Sequence, residues 1–226
     1  LKPGESRVEP IIAACREGKP EMANGNAYDA HYGCVLGHLM NNSYRLGEQV
    51  PGFPAHPHRG FETITIVQQG LVDHSDSLGA AGRYGQGDVQ WLTAGRGIQH
   101  SEMFPLLKQT EANPLLLFQL WLNLPAKNKM APPNFLMFWS DQLPRAQEQD
   151  SEGRAIRVEI TAGDYGNTRA LTPPPYSWAA DPANHVAAWV IDLAADAEWL
   201  LPAAASGLNR ALYFFEGADA QFDGMT

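Results

Sequence analysis

Apolar and polar residues alternate along several short stretches of the chain, which is the spacing of a half-buried β-strand. Residues 61–67 (FETITIV) alternate in this way with β-branched side chains, and the Gln69-Gly70 pair that follows is a turn signal. Comparable stretches predict strands at residues 71–74, 89–92, 115–122, 157–160, 187–193 and 211–216. The 21 glycines and 17 prolines are dispersed between apolar stretches. Many short strands joined by tight turns predict an all-β fold.

A proline-rich segment in the middle of the chain separates two strand-rich parts. It runs from Leu124-Pro125 to Pro132-Pro133, and proline disfavours both helix interiors and central strands. A chain of 226 residues is long enough for two smaller domains. We therefore predict an N-terminal domain over residues 1–123, a linker over 124–140 and a C-terminal domain over 141–226.

The net charge limits the classes of partner that the protein is expected to bind, and the cysteines indicate its cellular compartment. A formal net charge of −9 disfavours direct binding to nucleic acid or to an anionic membrane, because both require a basic face. The longest apolar runs fall far short of the ~20 residues that a transmembrane helix needs. Cys15 and Cys34 suggest neither a disulfide framework nor a zinc-thiolate site. We expect reduced thiols and a cytoplasmic protein.

Two short motifs in the first part of the chain carry the strongest chemical signal. His56 and His58 form an H-x-H pair, and His100 and Glu102 form an H-x-E pair. Side chains two residues apart on a strand point to the same face, so each pair can grip one ion. Glu62 has the same parity as the first pair, and we keep it as an alternative ligand or as a carboxylate that orients a histidine. A bulge at Gly60 would rotate it away.

Three neutral imidazoles and one carboxylate suit a divalent first-row transition metal ion. Fe, Mn, Ni, Cu and Zn are all compatible with such ligands. Four ligand-type side chains buried in one barrel would be costly without an ion, which favours metal binding over satisfied core histidines. A six-coordinate ion with four protein ligands keeps two positions open for a substrate and dioxygen.

Other histidines and glycines fit structural roles better. His74 lies between acidic residues and is predicted to be a hydrogen-bonded loop histidine. His31, His38 and His185 have no partner at metal-type spacing. The Gly95-x-Gly97 motif predicts a bend with positive φ and not a phosphate cradle, because no helix pattern follows it.

The segments HPHRGFETITIV (56–67), DVQWLTAGRGIQHSE (88–102) and LWLNLPAKNKMAPP (120–133) resemble the pirin family of two-domain cupins. The resemblance is dense over residues 52–133 and implies a bicupin, with two antiparallel β-barrel or jelly-roll domains. It implies one iron in the N-terminal barrel, held by His56, His58, His100 and Glu102. Residues 32–40 do not look like the family's usual opening strands, and residues 213–217 resemble the start of the second barrel's motif region. We therefore expect the second barrel to be incomplete in this chain.

The resemblance also implies an activity. We predict a metal-dependent dioxygenase that acts on a flavonol such as quercetin or on a similar planar enol, with Fe(II) as the expected ion and Glu102 taking the substrate's hydroxyl proton. The partners would be this small molecule and dioxygen. One alternative is a non-catalytic iron-containing redox sensor that binds a protein partner. Another is a metal-dependent hydrolase or isomerase on the same barrel.

Overall fold

The computed structural model describes residues 51–222, and this part of the chain is built from antiparallel strands. Within it there is no α-helix, only three short 3-10 turns at Ala126–Asn128, Trp178–Ala180 and Pro182–Asn184. The strands are β1 Gly52–His58, β2 Phe61–Gln69, β3 Leu71–Asp76, β4 Ala81–Gly85, β5 Val89–Thr93, β6 Ile98–Met103, β7 Leu116–Asn123, β8 Asn134–Phe138, β9 Arg145–Gln149, β10 Ala155–Ala162 and β11 Ala188–Leu193. The predicted all-β class is confirmed.

The strands form three sheets that stack in layers. The first sheet has the order β1-β6-β3-β4, the second β7-β2-β5-β8 and the third β11-β10-β9. The first two sheets face each other and enclose the interior of the N-terminal barrel, where Val67 packs with Val72 and Tyr84. The second sheet therefore lies between the barrel interior and the C-terminal part of the chain.

Strand β2 contributes side chains to two interiors, that of the N-terminal barrel and the core between the middle sheet and the C-terminal part. Six consecutive residues from Glu62 to Val67 are buried, because both faces of the strand are covered. Thr65 and Val67 face the barrel interior. Ile64 and Ile66 face the other way and pack in a core that includes Leu143 and Ala162 of the C-terminal part. Each such buried aliphatic side chain stabilises the fold by about 1.5–3 kcal/mol.

Most of the predicted strands are present with slightly different ends. The strands predicted at residues 61–67, 71–74, 89–92, 115–122, 157–160 and 187–193 correspond to β2, β3, β5, β7, β10 and β11. The predicted bend at Gly95 and Gly97 is confirmed, with φ values of 50° and 137°. A Cβ on Gly95 would lie 2.1 Å from the carbonyl oxygen of Ala131, so glycine is required there by both conformation and space.

Three local expectations differ from the structure. Residues 211–216 form no strand; they are exposed, and none of the described strands pairs with them. Strand β4 lies in a stretch for which no strand was predicted, and it forms because β3 supplies its pairing partner from Leu71 to Ser75. Strand β8 lies inside the predicted linker and extends the middle sheet by pairing with β5. The division into domains at residues 123 and 141 stays a prediction.

Several expectations fall on residues outside the described range. Cys15, Cys34, His31, His38 and the stretch 32–40 are among them. Over residues 51–222, none of the helical segments has the length and apolarity needed to cross a bilayer. The cytoplasmic location stays a prediction.

Candidate metal centre

Three histidines from two neighbouring strands converge inside the barrel. Strands β1 and β6 pair antiparallel with His56 directly opposite His100, and His58 lies two residues further along β1 on the same face. The Nε2 atom of His56 is 3.0 Å from Nε2 of His58 and 3.1 Å from Nε2 of His100. The nearest ligand atoms of all three side chains lie within 4.8 Å of one another. The pairing register thus brings together three of the four predicted ligands.

The His56 ring is oriented by the backbone. Its Nδ1 atom lies 2.6 Å from the carbonyl oxygen of Pro54, and a carbonyl only accepts, so Nδ1 carries the hydrogen and donates. In a neutral imidazole the other nitrogen, Nε2, then presents its lone pair to His58 and His100. Backbone carbonyls commonly fix metal-binding histidines in this way.

The two more buried histidines are held in their neutral form. Burial, followed by the nearby His56, lowers the pKa of His58 from 6.5 to about 4. Burial, followed by His74, His56 and His58, lowers the pKa of His100 to about 2. Both imidazoles are therefore uncharged at neutral pH, which is the form that binds metal ions.

The spacing of the three nitrogens fits a single transition metal ion. Two imidazole nitrogens bound at right angles to one ion at about 2.1 Å would lie about 3.0 Å apart. The Nε2 separations of His56 from His58 and from His100, 3.0 and 3.1 Å, match that value. The donor set is of the type that Fe, Mn, Ni, Cu and Zn accept.

The fourth predicted ligand, Glu102, lies on the same strand as His100 but is not part of this three-histidine group. Its Oε2 atom accepts a hydrogen bond from Nε2 of Gln119 at 3.0 Å, and its Oε1 atom lies 3.5 Å from the hydroxyl of Tyr84. Burial, with Glu102 next, raises the pKa of Tyr84 well above its usual value, so this phenol stays a donor. The carboxylate is 2% exposed and has a fixed position beside the histidines. Its role as a ligand stays a prediction.

Glu62 does not take part in the site, so the alternative ligand assignment is wrong. Gly60, with φ of 77°, turns the chain from the first sheet into the second, and the parity that Glu62 shared with β1 is lost there. Its carboxylate instead accepts four hydrogen bonds on the far side of the middle sheet. The donors are Trp91 Nε1, Thr93 Oγ1, Ser177 Oγ and the backbone N–H of Trp178.

His74 is a buried strand residue and not a loop residue as predicted. Its expected hydrogen bond is present, because Nε2 lies 3.1 Å from Oδ2 of Asp76. The His74 ring also lies 5.3 Å from the ring of His100, so it borders the metal centre. His185 ends the 3-10 turn Pro182–Asn184 in a left-handed conformation.

The mouth of the barrel is aromatic. Trp121 is 67% exposed, and its ring centroid lies 4.9 Å from that of Phe61 and 5.8 Å from that of His58. Phe53, 48% exposed, lies 6.4 Å from the ring of His56. Sequence reasoning gave Trp121 no role, although a polar Gln119 two residues earlier in an otherwise apolar strand was a signal that this face of β7 is not ordinary core.

A β-barrel with three convergent imidazoles and a neighbouring carboxylate is a candidate metal centre like those of the cupin class. The family model for Pirin matches residues 20–122. Over this part, the chain is similar to the pirin family. It is 45% identical over 130 residues to a Pseudomonas aeruginosa protein provisionally named quercetin 2,3-dioxygenase, covering 57% of this chain and 44% of that protein. It is 48% identical over 113 residues to Pirin-1 of Arabidopsis thaliana, covering 50% of this chain and 36% of that protein.

Among solved structures, the chain is similar to a quercetin 2,3-dioxygenase from Acinetobacter baumannii, with 36% identity and a TM-score of 0.47. The similarity covers 55% of this chain and 44% of that one. In these three comparisons the chain spans less than half the length of the protein that it matches.

Proposed function

We propose that this chain binds one divalent first-row transition metal ion, Fe(II) in the cell, and acts as a dioxygenase on a flavonol such as quercetin or on a similar planar enol. The observation that carries the proposal is the convergence of three imidazole nitrogens at 3.0–3.1 Å beside a buried carboxylate. The provisional name of the P. aeruginosa relative, quercetin 2,3-dioxygenase, supports the choice of reaction.

His56, His58 and His100 would hold the ion, with Glu102 as the proposed fourth ligand. When bound, the ion would supply a Lewis-acidic, redox-active centre at which an enol and dioxygen can meet. His56 is only partly buried while the other two histidines are buried, so a substrate would approach from the His56 side. The exposed rings of Phe53 and Trp121 flank that approach and offer flat apolar surfaces to a planar molecule.

Glu102 is the residue proposed to take the substrate's hydroxyl proton. Both of its oxygens face hydrogen-bond donors, Gln119 on one side and Tyr84 on the other. These two neighbours orient the carboxylate, and the proposal gives it the role of general base.

The proposal is tested by following flavonol loss spectroscopically, with and without dioxygen, on protein whose iron content has been verified. His56→Ala removes the central ligand, and His185→Asn is the matched control, because it replaces an exposed histidine by a residue that tolerates positive φ. We expect oxygen-dependent loss in the wild type and in His185→Asn and none in His56→Ala.

Other results would point to different functions. Iron-loaded wild-type protein that consumes no flavonol would contradict the proposal, and partner binding that changes between Fe(II) and Fe(III) would then support the redox-sensor alternative. Substrate loss that proceeds without dioxygen and is supported by Zn would support a hydrolase or isomerase. Glu102→Gln should keep much of the metal and lose turnover; unchanged turnover would refute the assignment of the base.

A further inference from the structure

A line of hydrogen bonds connects the exposed mouth of the barrel to its buried carboxylate. The indole N–H of Trp121 donates to Oε1 of Gln119 at 2.9 Å. Nε2 of Gln119 donates to Oε2 of Glu102 at 3.0 Å and to Oγ1 of Thr65 at 3.2 Å. The line starts at a side chain that is 67% exposed and ends at one that is 2% exposed.

The orientation of the Gln119 amide is determined by its partners. An indole N–H can only donate, so the amide oxygen must face Trp121. Both amide hydrogens are then directed inward to Glu102 and Thr65. The hydroxyl of Tyr84 lies 3.5 Å from the other oxygen of Glu102. A rotated amide would place its NH₂ group against the indole donor and its oxygen against the carboxylate, so the bonds to Trp121 and Glu102 would both be lost.

The position of Trp121 places this line in the path of a ligand. The indole lies over Phe61 and beside His58, with ring centroids 4.9 and 5.8 Å away. A planar molecule that binds beside His58 at the mouth can therefore contact this exposed ring. Gln119 and Trp121 are two residues apart on β7, so their side chains project to the same face of the strand.

We infer that Gln119 is a positioning residue that links an aromatic platform, Trp121, to the Glu102 carboxylate. Trp121 contacts the planar substrate, and Gln119 holds Oε2 of Glu102 in the position from which it accepts the substrate's proton. The substrate contact rests on the proposed function, whereas the hydrogen-bonded link does not. The amide of Gln119 therefore couples the binding of an aromatic ring at Trp121 to the position of the Glu102 carboxylate.

Three variants and two controls separate the ring of Trp121 from its hydrogen bond. Gln119→Leu removes every bond of the amide at similar size, and Gln99→Leu is its matched control on the exposed face of β6. Trp121→Phe keeps a ring and removes the N–H, whereas Trp121→Ala removes both. Trp139→Phe, at another partly exposed tryptophan, is the control for the aromatic substitution.

The link itself is tested without turnover by the indole N–H resonances of metal-free protein. The chain has six tryptophans, and the signal that disappears in Trp121→Phe identifies Trp121. We expect Gln119→Leu and Glu102→Gln each to shift this signal, while Gln99→Leu leaves it in place. A Trp121 signal that does not respond to either substitution would overturn the inference, whatever the protein's activity.

The kinetic consequences are tested with quercetin on protein of equal iron content. Gln119→Leu should lower kcat by about 10- to 100-fold with little change in KM, because the lost bond is to a charged group. Trp121→Phe should lower kcat by about 2- to 10-fold, and Trp121→Ala should also raise KM by about 10-fold. Wild-type values in Trp121→Phe and Gln119→Leu would overturn the positioning role. Absence of turnover in the wild type would instead contradict the proposed function, and the resonance test would still decide the link.

Discussion

The carboxylate of Glu62 is predicted to be a main stabilising contact between the middle sheet and the C-terminal part of the chain. It is fully buried, and Oε2 accepts from Trp91 Nε1 at 2.9 Å and Thr93 Oγ1 at 2.8 Å. Oε1 accepts from Ser177 Oγ and from the backbone N–H of Trp178, both at 2.9 Å. Each oxygen thus faces one hydroxyl that can rotate and one N–H that cannot.

This arrangement determines the cost of Glu62→Gln. Whichever oxygen becomes the NH₂ group, the hydroxyl beside it can turn and accept, but the N–H beside it is left without a partner. An unpaired buried donor costs about 1–3 kcal/mol, and the remaining bonds lose their charge assistance. We expect the free energy of unfolding to fall by roughly 2–4 kcal/mol, which corresponds to a Tm lower by about 4–16 °C for a chain of this size.

The assay is urea unfolding and thermal unfolding of metal-free protein, each followed by circular dichroism. Glu111→Gln is the matched control, because that carboxylate is exposed beside Lys108 and its substitution should leave the midpoint unchanged. A loss below about 0.5 kcal/mol in Glu62→Gln would refute the reasoning. Metal content measured well below Tm should equal that of the wild type; a loss of metal would mean that Glu62 supports a histidine after all.

Three further predictions follow from the same structure. Folding lowers the pKa of His58 from 6.5 to about 4, so between these pH values the unfolded chain binds protons more readily than the folded chain. The Tm of metal-free protein should therefore fall as the pH drops from 6.5 to 4. A flatter pH profile of Tm in His58→Gln would confirm that His58 is the source. Fe(II) at 100 times its Kd should stabilise the wild type by about 2.7 kcal/mol, measured as a rise in Tm that a chelator reverses and that His56→Ala lacks. Gly95→Ala should lower the free energy of unfolding, measured in urea, by at least about 2 kcal/mol, because its Cβ would meet the Ala131 carbonyl. Gly79→Ala should lower it by about 1 kcal/mol, because Gly79 has a positive φ but lies in open space.

The metal centre could be predicted from the sequence because its geometry is local. His56 and His58 share a face by strand parity alone, and the same parity puts His100 and Glu102 together. What the pattern could not give is the register between β1 and β6, which places His56 opposite His100 and brings three nitrogens, and not four ligand atoms, into one group. Register depends on pairing across the sheet, and no single strand encodes it.

The errors have the same origin in long-range structure. Glu62 has the same sequence parity as His56 and His58, but the turn at Gly60 moves the chain into a different sheet before Glu62 is reached. A glycine in the sequence does not by itself predict such a change of sheet. Strand β4, AGRYG, has weak strand propensity and exists because β3 pairs with it. Residues 211–216 have high strand propensity and form no strand, because none of the described strands pairs with their backbone.

Alternate residues on the strands of the middle sheet face different interiors. Side chains on one face stabilise the fold, and side chains on the other face line the barrel that holds the candidate metal centre. On β2, Glu62, Ile64 and Ile66 face the C-terminal part, where they contribute packing and the buried carboxylate contact. Thr65 lies between them in sequence but faces the barrel, where it meets Gln119 of β7. Because neighbouring residues project to opposite faces, a substitution at position 62 should change Tm and leave the metal in place. A substitution at position 119 should instead change turnover and leave the hydrogen bonds of Glu62 intact, so the pair tests whether the two interiors are independent.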